Sequence, residues 1–125
     1  MKIVGLAAAA ALLAAGAARA AEPSPADVRC ITVAFLLAGS AKDDNVKQAA
    51  VVSSFYFLGK VDGSAPGADL EAKIRDVATK LTQADAMADA KRCGAELQSR
   101  GLEIQALGER LKANPVQPAA PLPKP

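Results

Sequence analysis

The sequence has no histidine and no tryptophan, only 3% aromatic residues, and two cysteines among its 125 positions. Zinc sites of the Cys₄ or Cys₂His₂ type, Ser-His-Asp and Cys-His nucleophile systems, and haem held by histidine all need residues that this chain lacks. These absences exclude the common histidine-dependent active sites. We therefore predict no catalytic residues, no metal and no cofactor.

Proline is also scarce where a fold would form. The chain has eight prolines, but five of them lie in the last eleven residues, and only Pro66 falls between Ala26 and Asn114. The middle of the chain is therefore free of the strongest helix breaker. Hydrophobic residues make up 51% of the chain, and 30 residues are alanine.

The first 20 residues have the three-part layout of a secretory signal peptide. Lys2 is followed by an uncharged run over residues 3–18, and Ala18-Arg19-Ala20 places small residues at the −3 and −1 positions of a cleavage site. The run is short and only weakly apolar for a bilayer core of roughly 30 Å, and no later segment is long enough to span one. We predict a signal peptide over residues 1–20 and an exported, periplasmic or secreted, protein.

The charge of the predicted mature chain argues against nucleic-acid binding. The full chain carries a formal charge of +2, but cleavage after Ala20 removes Lys2 and Arg19 and leaves 13 basic and 13 acidic residues. Lysine and arginine do not cluster anywhere along the chain, so no nucleic-acid partner is expected.

Hydrophobic spacing predicts a small all-α bundle of about four helices over residues 21–113. The first helix begins at Ser24-Pro25, where Ser24 and Asp27 resemble a capping box, and ends at Gly39-Ser40; its stripe includes Phe35. The second covers about 43–58, and a loop is predicted over 59–67. The third covers about 69–81, with Leu70, Ile74, Val77 and Leu81 on one stripe.

Four consecutive large side chains, Phe55-Tyr56-Phe57-Leu58, close the second predicted helix. In a helix they would occupy most of the circumference, so they form either a buried end or an apolar surface that something else covers. Packing in the core is the simpler interpretation, because a small alanine-rich domain needs its few large side chains inside. The run is also the candidate apolar binding surface.

The fourth predicted helix, about 84–112, carries a heptad seam in which glycine alternates with a large aliphatic residue. The seam is Gly94, Leu97, Gly101, Ile104, Gly108 and Leu111. Each interior glycine costs roughly 0.5–1 kcal/mol relative to alanine, so three of them need an explanation. We predict a single, bent or straight, helix whose seam packs closely within the domain; a break near Gly101 is the alternative. The Pro-rich residues 114–125 are predicted to be a disordered tail.

The two cysteines, Cys30 and Cys93, lie in the first and last predicted helices, 63 positions apart. In an exported protein an even cysteine count indicates disulfides, and here only one pairing exists. Closing a loop of about 64 residues would stabilise the fold by roughly 4 kcal/mol on the chain-entropy model. We predict a structural disulfide that makes the first and last helices neighbours.

This layout resembles the small periplasmic acid-stress chaperones. The shared features are a signal peptide, Cys30 followed by Phe35-Leu36-Leu37, an aromatic-ended second helix and Cys93 opening the last helix. The resemblance implies an all-helical fold with one disulfide that binds unfolding clients once its carboxylates are protonated. The residues 55–63 and 90–94 are more similar to uncharacterised two-cysteine secreted proteins of high-GC proteobacteria, a resemblance that implies no activity.

Three functions are compatible with these features. The first is a non-catalytic protein that binds other proteins through an apolar surface, as a stress chaperone would. The second is an enzyme using Asp85 and Asp89, but carboxylates at i, i+4 usually belong to a solvated face. The third is a small-molecule or lipid carrier with a cavity between helices. The partner, an unknown protein or an apolar ligand, and the oligomeric state are left open.

Mass spectrometry of the exported protein tests the disulfide and the cleavage site together. The mature chain should begin at Ala21, and its non-reduced mass should be two hydrogens below that of the reduced chain. Two free thiols in the exported protein would contradict the predicted disulfide.

Overall fold

The computed structural model describes residues 21–117, which contain four helices and no strand. They are α1 (Pro25–Ser40), α2 (Asp44–Ser64), α3 (Leu70–Lys80) and α4 (Gln83–Ala113). The predicted all-α fold of four helices is thus confirmed. The predicted signal peptide over 1–20 lies outside the described residues. So does most of the predicted tail, of which residues 114–117 are exposed and non-helical.

Three of the four helices begin at a side chain that accepts hydrogen bonds from the first turn. Asp43 accepts from the backbone N–H groups of Asn45 and Val46, Asp69 from that of Ala72, and Thr82 from that of Asp85. Such caps satisfy amide groups that have no partner inside the helix. At α1 the expectation was wrong, because Ser24 makes no side-chain cap and the Asp27 carboxylate binds Lys60 instead.

The helix at the centre of the fold is α1. It contacts each of the other three helices, whereas α3 contacts α1 alone. Its first half is consequently buried on several sides, from Asp27 and Val28 through Cys30 to Ala34. Its second half is different: Phe35, predicted to lie on the packed stripe, is 51% exposed because the neighbouring helices cover only the first half. The predicted stripe of α3 is half-buried.

The hydrophobic core is small and contains the disulfide. Cys30, Ile31, Phe57, Val61 and Cys93 form one buried cluster, and Tyr56, Leu70, Ile74 and Leu97 pack against it. The two cysteines are bonded, with their Cα atoms 5.7 Å apart, which lies within the usual range for disulfides. The predicted disulfide and the contact between first and last helices are confirmed.

The second helix runs six residues past its predicted end. Residues 59–64, predicted to be loop, continue α2, and the turn begins only at Ala65. Asp62-Gly63 is a typical turn dipeptide, and Gly59 and Gly63 weaken a helix by about 1 kcal/mol each. Burial of Val61 at 1% exposure offsets that penalty. The reversal of the chain instead uses Gly67, whose φ of 79° is readily accessible to glycine.

The last helix is continuous through Gly101, as predicted, and spans 31 residues, or about 46 Å. Only Asp89 and Cys93 of α4 are buried. Beyond Leu97 its side chains are exposed, so the C-terminal half extends past the core.

Two phenylalanines two positions apart test this core directly. Phe57 is completely buried, whereas Phe55 is 70% exposed. We expect Phe57→Ala to lower the free energy of unfolding by about 3–5 kcal/mol, and the control Phe55→Ala by less than about 0.5 kcal/mol. Urea denaturation of the oxidised protein measures both. Equal losses for the two variants would contradict the assignment of Phe57 to the core.

Candidate functional site

The aromatic run predicted as an apolar surface is divided by the fold. Phe57 belongs to the core, Tyr56 and Leu58 are half-buried, and only Phe55 is largely exposed. The four residues therefore do not form one binding surface. The physical reason is that they lie in mid-helix, where α1 packs against one side of α2 and leaves the other side to solvent.

A chain of polar contacts crosses three helices beside the core. Lys60 Nζ on α2 donates to Asp27 Oδ1 on α1 at 2.7 Å and to Glu96 Oε1 on α4 at 2.6 Å. The Tyr56 hydroxyl also donates to Glu96 Oε1, at 3.0 Å, and accepts from Arg100 Nε at 3.3 Å. Within the described residues, these contacts include every side-chain hydrogen bond between α2 and α4.

These contacts shift the protonation equilibria of both ends of the Lys60–Glu96 pair. The hydrogen bond from Lys60 lowers the pKa of Glu96 below its ordinary value, against the opposing effect of burial. Burial lowers the pKa of Lys60, but its hydrogen bonds to Asp27 and Glu96 outweigh burial and leave that pKa raised. Both groups are therefore charged at neutral pH. Their arrangement holds helices together and leaves neither group as a proton donor or acceptor near pH 7.

A second ion cluster joins α1 to α4 on the other side of the disulfide. Asp89, which is buried, accepts from Arg29 Nη2 at 2.6 Å and from Arg92 Nη2 at 3.2 Å. Arg92 also donates to the backbone carbonyl of Ala26 at 2.9 Å. A buried carboxylate needs such partners, because an unpaired one costs several kcal/mol.

The carboxylates considered for catalysis, Asp85 and Asp89, are engaged separately. Asp85 accepts a hydrogen bond from the Thr82 hydroxyl, which lowers its pKa, while Asp89 binds the two arginines. Neither carboxylate therefore faces the other as a paired acid and base.

A groove between α2 and α4 has two exposed aliphatic side chains in its lining. We call it the α2–α4 groove; it is lined by Asn45, Gln48, Ala49, Val52, Tyr56, Leu97, Arg100, Gly101 and Ile104. Its volume is about 570 Å³. Val52 is 57% exposed and Ile104 70% exposed. Its lining includes Tyr56 and Leu97, which pack against the core, and Gly101 and Ile104, which lie on the exposed half of α4.

Only part of the glycine seam of α4 lines this groove, namely Leu97, Gly101 and Ile104. Leu97 packs against the core, but a Cβ atom added at Gly94, Gly101 or Gly108 would meet nothing within 4 Å. Ile104 and Leu111 are exposed. The prediction that the seam packs closely within the domain is therefore wrong for every seam residue except Leu97. The reason is geometric: beyond Leu97 the described part of the chain places no helix in close contact with this face, although Arg100 still donates to Tyr56 of α2.

A second cleft lies between the start of α1 and α3. It has a volume of about 670 Å³ and is open to solvent on one side. Pro23, Val28 and Val77 supply apolar lining, and Glu22 and Lys73 form an ion pair beside them.

Sequence reasoning missed both ion clusters. Asp27 and Lys60 are 33 positions apart, and Arg29 and Asp89 are 60 apart, so no i, i+4 pattern links them. One signal was present: Lys60 lies between Phe57 and Val61, inside an apolar stripe that continues the second helix. A charge within such a stripe indicates a buried ion partner.

Comparison with known proteins finds no matching family model, curated protein or solved structure. The two resemblances described from the sequence therefore stay predictions. Among residues 21–117, no helix combines the length and apolar character needed to cross a bilayer.

The Lys60–Glu96 pair generates a prediction about acid stability. A lowered folded-state pKa at Glu96 stabilises the fold above its ordinary value near 4.5, and this stabilisation is lost as the pH falls through the folded-state pKa. The free energy of unfolding of Glu96→Gln should therefore be about 1 kcal/mol lower than that of the wild type at pH 7. On acidification, the free energy of unfolding of the variant should fall by less than that of the wild type.

The control for this variant is Glu71→Gln, because Glu71 forms an exposed i, i+4 ion pair with Arg75. Such pairs contribute little, so the control should follow the wild-type profile. Urea denaturation midpoints of the wild type and both variants, measured from pH 7 to pH 2, test this prediction. If Glu96→Gln and the wild type had the same pH slope, the assigned role of Glu96 would be wrong.

Proposed function

We propose that this chain is a non-catalytic, exported helical protein that binds other proteins through the α2–α4 groove. The observation that carries the proposal is the exposure of two aliphatic side chains in the groove, Ile104 and Val52. Exposed apolar surface marks interaction sites on folded proteins. Arg100 is the one charged residue of the lining, and it is hydrogen-bonded to Tyr56 and paired with Glu103, which leaves apolar contact as the main chemistry of the groove.

Export is supported by two features. The disulfide between Cys30 and Cys93 belongs to an oxidising compartment. The pattern of residues 1–20 is that of a secretory signal.

A stress chaperone active in acid is the more specific form of the proposal. The mature chain is neutral near pH 7, and its 13 carboxylates leave about +13 once they are protonated near pH 2–3. Protonation of Glu96 would remove one of the two carboxylate acceptors of Lys60, the one that joins α2 to α4. The resulting repulsion separates α4 from α2, while the disulfide keeps α4 attached to α1. The groove would thereby widen without complete unfolding.

The test compares two exposed aliphatic residues on opposite sides of α4. Ile104 lines the groove, and Leu102 is 60% exposed but lies away from it. We expect Ile104→Asp to weaken suppression of aggregation of acid-unfolded alcohol dehydrogenase at pH 3 by at least about fivefold, as loss of a central apolar contact does. The control Leu102→Asp should act as the wild type. At pH 7 suppression should be weak for all three proteins.

Light scattering at increasing ratios of protein to client measures the effect. Wild-type protein in excess that leaves aggregation at pH 3 unchanged would reject the chaperone form. Equal weakening by both substitutions would reject the groove as the binding surface.

A small-molecule or lipid carrier is the alternative, and the cleft between α1 and α3 supports it. Its volume of about 670 Å³ lies within the range of ligand sites, about 300–1,000 Å³. Titration calorimetry with dodecanoic acid separates the two functions, because Val77→Asp should abolish fatty-acid binding by this cleft and leave client suppression intact.

A further inference from the structure

We infer that a pocket where α1, α2 and α4 meet binds a small neutral molecule that carries one hydroxyl group, namely an alcohol or a phenol. The pocket has a volume of about 210 Å³ and lies against the disulfide, with Cys30 and Cys93 in its lining. It adjoins the α2–α4 groove, with which it shares Ala49 and Leu97. The inference stands independently of the proposed function, because it concerns a different cavity and a different class of ligand.

The pocket is enclosed at one end and open at the other. Among its lining residues, Cys30, Ala34 and Cys93 are buried, whereas Leu37 is 37% exposed and Val46 is 44% exposed. The lining thus runs from the protein surface to the disulfide. A small molecule can therefore enter from solvent and reach a site that three helices surround.

The walls are built largely from small residues, which leaves the space that a ligand needs. At Gly94, which lines the pocket, an added Cβ atom would meet nothing within 4 Å; the alanines of the lining are Ala34, Ala49, Ala50 and Ala90. Folded proteins contain few internal voids larger than a water molecule. An apolar cavity of about 150 Å³ holds benzene. The volume of this pocket, about 210 Å³, therefore accommodates a six-membered ring with a substituent.

Ser53 on α2 supplies a polar group whose hydrogen-bonding capacity is unused. It lines the pocket and is only 8% exposed. A serine or threonine inside a helix commonly donates to the carbonyl four residues earlier, and Thr32 and Ser54 do so. Among residues 21–117, the hydroxyl of Ser53 has neither this partner nor any other.

The pairing of the other buried polar groups shows where this hydroxyl points. In the described part of the chain, every fully enclosed side-chain oxygen or nitrogen atom has a hydrogen-bond partner. Ser53 Oγ has none, so it is not fully enclosed and small molecules can reach it. Because the residue is otherwise buried and lines the pocket, its hydroxyl is reached through the pocket. The pocket therefore offers one hydrogen-bond donor and acceptor on an otherwise apolar wall.

The chemistry of the lining determines the class of ligand. None of the lining residues, all of which lie within 21–117, is charged. A carboxylate or an ammonium group would lose its hydration there without gaining a counter-ion, which is costly. A hydrocarbon would leave the buried hydroxyl of Ser53 without a partner. A ligand hydroxyl can donate to Ser53 Oγ or accept from it, so an apolar molecule with one hydroxyl group fits best.

Phenol and benzene are the probes, because they differ only by the hydroxyl group. Phenol should bind the oxidised mature protein at pH 7 at millimolar concentrations or below. Ser53→Ala should weaken phenol binding about threefold to tenfold, the usual contribution of one hydrogen bond, and should not weaken benzene binding. Titrations followed by NMR through the methyl groups of Ala34 and Ala50 measure both affinities and locate the ligand.

Gly94→Leu tests the location of the site. Since Gly94 has open space around it, the leucine should fill the pocket, raise helix content and abolish the binding of both probes. Gly108→Leu is the matched control, because Gly108 also has open space around it but does not line the pocket. Phenol binding by this control should be unchanged, and circular dichroism checks that both variants fold.

Three results would overturn the inference. They are a wild type that does not bind phenol at millimolar concentrations, phenol binding that survives Gly94→Leu, and phenol binding that Ser53→Ala leaves unchanged. The last result would show an apolar void without selectivity for a hydroxyl group. A protein that binds phenol in the expected way but has no effect on client aggregation supports the pocket and contradicts the proposed function alone.

Discussion

The disulfide between Cys30 and Cys93 is the constraint on which the attachment of α4 depends. Both sulfur atoms lie inside the small core, and Cys93 is one of only two buried residues on α4, the other being Asp89. Without the bond, α4 would be held by Leu97, by two ion clusters and by little else. A covalent link is a large part of the stability of a domain this small, whose core alone supplies only a few kcal/mol.

The two ion clusters restrain the position of α4 in addition to the disulfide. One cluster joins Asp27, Lys60 and Glu96, and the other joins Arg29 and Asp89 with Arg92. A disulfide fixes the distance between two helices but leaves rotation about the bond. Contacts on either side of it fix the rotation as well. These contacts depend on carboxylates, whereas the covalent attachment of α4 to α1 does not.

The local pattern of the sequence predicted the number and extent of the helices well, but it predicted less well which side chains are buried. Helix number, the stripe of α3, the continuity of α4 and the disulfide followed from spacing, because each depends on residues close in sequence or on the only available pairing. The end of α2 was wrong, because the burial of Val61 outweighed two glycines, and that burial depends on α1. The ion clusters were missed for the same reason, since Asp27 and Lys60 meet only after α1 and α2 have packed, and Glu96 joins them only when α4 packs as well.

The exposed seam of α4 shows why periodicity alone does not determine what a helix face contacts. The heptad spacing of Gly101, Ile104 and Gly108 predicted close packing within the domain, but a Cβ atom added at either glycine would meet nothing within 4 Å. An isolated helical half with two glycines loses about 1–2 kcal/mol relative to alanine and gains no core burial in return. Alanine is the commonest residue of this chain, so the glycines are not explained by composition. The glycines and the exposed aliphatic residues between them therefore have no packing role beyond Leu97 in the single chain.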